Sequence, residues 1–258
     1  MEESSEISLK GILVCLMIIM GIFYVLISIF SASLVLAIVG TALVCWGVIV
    51  PYVTRIEHMP LALLNAAAIS ATRNIERTLE EANLANKGRY LPPNSMRDSE
   101  SSMVVIPEKP GQPLPKPEYV VEEKLLPPNK DFLFVTPPGL ELSKLFEKEL
   151  GVSFTKTDLN FVQQKLPKLL IEKMELAKRA CMQIQSNIVV LEITGNVFRD
   201  VCQETRKLPR THDQVGCLLS SAVACVLAKA SGKIVTIQKD EQSDDGKTTR
   251  IEYRIEDE

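Results

Sequence analysis

Seven side chains able to bind or react crowd into the stretch Arg199–Cys225: Cys202, Arg206, Lys207, Arg210, His212, Asp213 and Cys217. As metal ligands, Cys202, His212, Cys217 and Cys225 are separated by nine, four and seven residues. Zinc sites use paired knuckles at tighter, repeated spacing, so no metal is expected here. As a nucleophile, Cys202 or Cys217 beside His212 would work as a thiolate next to an imidazolium. Both cysteines, however, fall among apolar helical positions, where a small buried and inert thiol is the simpler expectation. The bases Arg199, Arg206, Lys207 and Arg210 read either as a solvated face or as a contact for an anionic ligand. Asp213 reads as the cap of the helix that follows. Arg199, Cys202, Arg206, Arg210, His212 and Cys217 are therefore the candidate ligand-binding set, with no catalytic residue assigned. The chain has no glycine-rich phosphate loop, nucleophile elbow or paired metal-binding histidines, and no cofactor is expected.

The elements that must hold these residues come from periodicity. Apolar residues at Val215, Leu218, Leu219, Ala222, Val223, Val226 and Ala230 mark one face of a helix that ends at Gly232. Upstream, a helix over 138–150 closes at Gly151, and Asp158 caps a second one. Pro167 breaks or restarts that second helix into Lys168–Arg179. Cys181–Gln185 and Ile188–Thr194 alternate as a hairpin around Ser186-Asn187. A helix from Asn196 to about Lys207 and a polar loop, Leu208–Asp213, lead into the apolar helix. Strands Lys233–Lys239 and Thr248–Ile255, joined by the turn Asp240–Gly246, end the chain. The expectation is a small α+β domain with antiparallel strands over 137–258, large enough to fold alone.

Residues 91–136 read as a Pro-rich arm, because 11 of the chain's 15 prolines lie between Leu91 and Pro138. The run Pro107–Pro117 is extended polyproline-like chain. Short apolar patches at Met103–Ile106, Tyr119–Val121 and Phe132–Val135 are suited to joining a neighbouring sheet. Before the arm, 55–90 holds a helix with Leu61, Leu64, Ala68, Ala71, Ile75, Thr78 and Ala82 at heptad spacing. With alanine and threonine in that seam, packing on lipid or on the chain's own domain is preferred over self-association.

The N-terminus decides location. Residues 11–54 contain no charged side chain, a run of 44 positions between Lys10 and Arg55. One spanning helix needs about 20 apolar residues, so this run suits two, divided at Ser31-Ala32-Ser33 into spans 11–30 and 34–54. A cleaved signal peptide fits poorly: Glu2, Glu3 and Glu6 precede the run, and a second apolar span follows at once. Lys10 and Arg55 flank an uncharged turn, which favours both termini in the cytoplasm. No ionisable group lies within either span, so the hairpin reads as an anchor rather than a channel. Small residues, Gly21, Ser28, Gly40 and Gly47 among them, suit close approach of the two helices. A net charge of −3 gives no bias toward nucleic acid.

Two resemblances follow from particular stretches. Pro137-Pro-Gly-Leu-Glu-Leu-Ser-Lys-Leu-Phe-Glu-Lys-Glu-Leu-Gly151, with the two-span start, resembles uncharacterised archaeal two-span membrane proteins, which implies no activity. The helix Gly216–Ala230, its glycine and the two closing strands resemble the end of 4-vinyl reductase-type small-molecule-binding domains. That resemblance implies ligand sensing within the α+β domain. The chain is thus expected to be a multi-pass cell-membrane protein whose cytoplasmic domain regulates, senses or scaffolds. Its partners would be the lipid bilayer and a small-molecule ligand, a membrane protein or a second copy. The alternative is a thiol-dependent or ligand-processing enzyme at the same membrane face.

Overall fold

The computed structural model describes residues 3–31, 33–54, 61–93, 102–113, 132–243 and 245–256. The chain divides into two compact units, Met1–Leu61 and Ala62–Glu258. Tyr119–Val121, Arg55 and residues 114–117 of the polyproline run lie outside the described residues.

The first unit is a pair of helices, α1 (Glu3–Ser31) and α2 (Leu34–Thr54). Within α1, Val14–Ser31 is long and apolar enough to cross a membrane, with mean hydropathy 2.6, while α2 carries a shorter apolar stretch over Leu34–Ile49. Phe23, Ile29, Phe30, Leu34, Val35 and Trp46 point outward and are exposed. An apolar surface of that kind is unstable in water and needs a non-aqueous partner. The helices meet backbone to backbone: a Cβ on Gly40 would sit 2.8 Å from the Gly21 carbonyl oxygen, and one on Gly21 as close to that of Gly40. Here the expected role of the small residues holds.

The second unit begins with α3 (Leu61–Ala82). Its Ile75, Leu79 and Ala82 pack on the domain core. Ala71 and Thr78, members of the expected heptad, are exposed. Three strands follow, β1 (Arg89–Leu91), β2 (Met103–Pro107) and β3 (Phe132–Val135). Two of them arise from the segment read as an arm, so the sheet reaches further back along the chain than residue 137. Next come α4 (Leu140–Leu150) and α5 (Leu159–Lys168). Asp158 caps α5 as expected, its Oδ1 accepting the Phe161 N–H at 2.8 Å. Pro167 does not break this helix. It sits in the last turn, where it removes the N–H that would bond the Gln163 carbonyl, and a single wide π turn over Leu169–Lys173 follows. The helix expected over Lys168–Arg179 therefore stops at Lys173.

Strands β4 (Arg179–Gln185) and β5 (Ile188–Thr194) form the expected hairpin. After them come α6 (Arg199–Arg206), α7 (Pro209–Gln214), α8 (Leu218–Ser231), β6 (Ile234–Gln242) and β7 (Thr248–Glu256). The seven strands among the described residues join one antiparallel sheet in the order β3-β2-β1-β6-β7-β5-β4. Alternation sorts its faces. Val189, Leu191, Ile193, Ile251, Tyr253 and Ile255 enter the core, while Glu192 and Arg250 pair on the other side at 2.8 Å. Helix α8 is buried from Leu219 to Lys229 and forms the centre of the core. That burial explains why Pro209–Ser231, apolar enough to pass as a span, belongs to the domain interior.

Candidate functional site

Four of the six predicted ligand-binding residues meet at one end of α8. Asn196 begins the approach: its Oδ1 accepts the Phe198 N–H at 2.8 Å and sets the start of α6. Cys202 and Arg206 then lie one turn apart on the same side of that helix. Cys202 is buried, and its thiol lies 2.8 Å from the Cys217 sulfur. Cys217 is the residue that caps α8. Gly216 turns the chain into it with φ +82°, a conformation that favours glycine. Ser220, in the first turn of α8, accepts the Cys217 N–H at 2.8 Å, and its hydroxyl lies 3.3 Å from the Cys217 sulfur. Asp213 does not cap α8; it lies within α7, the helix that replaces the expected loop.

Helix α7 forms because Pro209 suits a first helical turn and because its free N–H groups have a partner from outside. Glu76 of α3 accepts the Thr211 N–H at 2.7 Å, the Thr211 hydroxyl at 2.6 Å and the Arg210 N–H at 3.2 Å. A carboxylate at a helix start satisfies both the free donors and the helix dipole. Arg210 turns the same way: its guanidinium donates to the carbonyls of Leu79 and Leu84 and to Asn83 Oδ1. Arg210 is thus a fastener between α3 and α7. Arg199 stands apart on the surface, 3.6 Å from its neighbour Asp200.

The centre of the cluster is a residue that sequence reading assigned to a turn. Strand β6 runs on through Gln242, and Asp240 lies inside it. Ile237 pairs with Tyr253, but Lys239 pairs with Glu252, so Gln238 is an extra residue, a bulge. A bulge reverses which face the following side chains take. Asp240 pairs with Ile251, a core residue, and its side chain is only 2% exposed. Lys87 secures the bulge by donating to the carbonyls of Ile237 and Gln238 at 2.9 and 2.6 Å.

Arg206 closes over this face as a fork. One guanidinium nitrogen donates to Asp240 Oδ1 and the other to Gln242 Oε1, both at 2.6 Å. His212 approaches from α7, with Nε2 3.9 Å from Asp240 Oδ1, an ion-pair distance. Its Nδ1 lies 3.2 Å from Asp213 Oδ1. His212 Nε2 and Asp240 Oδ2 are buried without hydrogen-bond partners among the described residues.

Electrostatics follow from this packing. The nearby Asp240 carboxylate raises the His212 pKa above the ordinary histidine value, against the lowering effect of burial. Burial pushes Asp240 upward, yet His212 and Arg206 together hold it below the usual carboxylate range. The two thiols are moved in opposite directions. Cys202 is raised well above the usual range by donating to Cys217 and by burial. Cys217 is lowered, first by the Cys202 hydrogen bond and then by Ser220, in spite of burial. Cys225, deeper in α8, is pushed up to about 12 by burial. Cys202 and Cys217 are both buried, as expected of their helical positions; the helix-start position of Cys217 is one that favours thiolate character. Among the described residues no group of three or more His, Cys, Asp and Glu side chains is placed to hold a metal ion.

The class is thus an α+β protein with an apolar helical pair and a seven-stranded antiparallel sheet. The chain belongs to the family described as a domain of unknown function, DUF7982, whose model matches residues 11–255. This match fits an uncharacterised family and carries neither an archaeal source nor a 4-vinyl reductase likeness. Comparison with curated proteins and with solved structures finds no match.

Proposed function

We propose that this chain is a membrane-anchored regulatory module, not an enzyme, with both spans 11–30 and 34–54 in the bilayer and its α+β domain at the cytoplasmic face. The observation that carries the regulatory reading is the closure of the polar cluster. Arg206 is spent on Asp240 and Gln242, Cys202 on Cys217, and both thiols are buried. Turnover needs groups that meet a substrate and reset; a closed cluster is better suited to holding one of two states. The outward apolar side chains of α1 and α2 support the anchor, and Lys10 and Arg55 support the orientation. The regulated partner is a small molecule or another membrane protein. A shallow cleft of about 590 Å³ beside the cluster, lined by Lys87, Arg210, Asp213 and Gln214, is the place for it.

Two measurements test this. An alkaline wash should leave the full chain with the membrane pellet and release an Ala62–Glu258 fragment. Detectable turnover that disappears with Cys202→Ala or His212→Ala would overturn the non-catalytic reading.

A further inference from the structure

We propose that Cys202 and Cys217 are a redox modification site, a thiol pair that a peroxide converts reversibly to a disulfide inside the folded domain. Both are free, and their sulfurs are 2.8 Å apart on two different elements. A disulfide bond is about 2.05 Å long, so the pair stands within roughly an ångström of bonding. The two positions are not equivalent. Cys217 sits at the start of a 14-residue helix and faces the Ser220 hydroxyl. It is the attacking thiolate, and Cys202, which donates to it, is the resolving thiol.

Burial selects the oxidant. Each cysteine is 2% exposed, which excludes a bulky disulfide donor. The nearby Arg206 and His212 side chains are 19% and 17% exposed. A hydroperoxide, near the size of water, is the oxidant class that fits so closed a site. In the first step the Cys217 thiolate attacks a peroxide oxygen: an S–O bond forms, the O–O bond breaks, and the hydroxide released takes up the proton that Cys217 had lost. In the second, the Cys202 sulfur attacks the Cys217 sulfur: S–S forms, S–O breaks, and the second water leaves with the Cys202 proton. Two thiols are oxidised and one peroxide is reduced to two waters. A dithiol returns two electrons and two protons and restores the pair.

The disulfide would close the segment 203–216, which contains α7, the helix that Glu76 of α3 holds through Thr211. This consequence rests on the regulatory reading above; the chemistry of the pair does not.

The test uses the reduced full chain in detergent, treated with hydrogen peroxide, then denatured and blocked with a maleimide before peptide mapping by mass. The wild type should yield a Cys202–Cys217 crosslinked peptide, two hydrogens lighter than its reduced parts, that dithiothreitol abolishes, while Cys225 stays open to the maleimide. C202S should lose the crosslink completely and leave Cys217 as a sulfenic acid that dimedone traps. Recovery of both thiols as maleimide adducts in the wild type would overturn the inference, whether or not the variants fold. Thiol-dependent turnover accompanied by the crosslink would instead overturn the non-catalytic reading and leave this one standing.

Discussion

Glu76 accepts both the backbone N–H and the hydroxyl of Thr211, at 2.7 and 2.6 Å, from a position 135 residues away in the chain. Helix α3, which follows α2 in sequence, is thereby fixed to the short helix beside the thiol pair. Removing the carboxylate strands three donors, each costing about 1–3 kcal/mol when buried and unmet. Glu76→Ala should destabilise the Ala62–Glu258 unit by about 3 kcal/mol in urea unfolding, with Glu76→Gln recovering part of the loss. An unchanged midpoint would remove Glu76 from the account.

The Asp240–His212 pair predicts a window of pH. Asp240 is lowered, so its contribution is present above the unfolded carboxylate value, about 3.9, and is lost as pH falls through its folded value. His212 is raised, so its contribution is complete below the unfolded histidine value, about 6.5, and is lost as pH rises through its folded value. Stability from the pair should therefore peak between those limits and decline on the alkaline side first through His212. Urea midpoints measured across that range should show the decline in the wild type and a flatter alkaline limb in Asp240→Asn. The same limb in both proteins would contradict the pairing.

A second buried ion pair gives an asymmetric expectation. Lys229 Nζ lies 2.8 Å from Glu147 Oε2, with the lysine side chain 3% exposed, while Glu147 Oε1 also accepts the Phe154 N–H. Removing one partner leaves a buried charge, at a cost of about 3–5 kcal/mol, whereas replacing both with apolar residues is often near neutral. Glu147→Ala should be strongly destabilising, and the double change Glu147→Leu, Lys229→Met much less so. Chemical unfolding of the four members of that cycle decides it.

The pairing of α1 with α2 rests on the contact between Gly21 and Gly40, where a Cβ would lie 2.8 Å from the opposing carbonyl oxygen. Gly40→Val should separate the helices. Spin labels on Cys15 and Cys45, with the other cysteines replaced, should report longer distances in that variant; an unchanged distribution would mean the glycines do not set the approach.

Much of this was legible where one local rule acts alone. The 3.6 period of α8, the Asp158 cap and the alternation of β5 each depend on a few neighbouring residues. Site residues Cys202, Arg206, His212 and Cys217 were legible as a cluster because they share one stretch of chain. Asp240 was not, since an acidic run ending in glycine reads as a turn, and the bulge at Gln238 that turns its carboxylate inward is held by Lys87 from far upstream. Helix α7 was read as a loop because its donors are met by Glu76, a partner with no local sign. The short strand β1 is decided by pairing with distant chain, as Tyr90 with Val235, and local sequence carries little of that information.

Anchoring with the α+β domain on the cytoplasmic side is the central claim of the proposed function, and protease protection tests it most directly. Protease is added to sealed vesicles that enclose the cytoplasmic side. The account predicts that Ala62–Glu258 survives intact until detergent opens the vesicles. Digestion of that unit in sealed vesicles would contradict it.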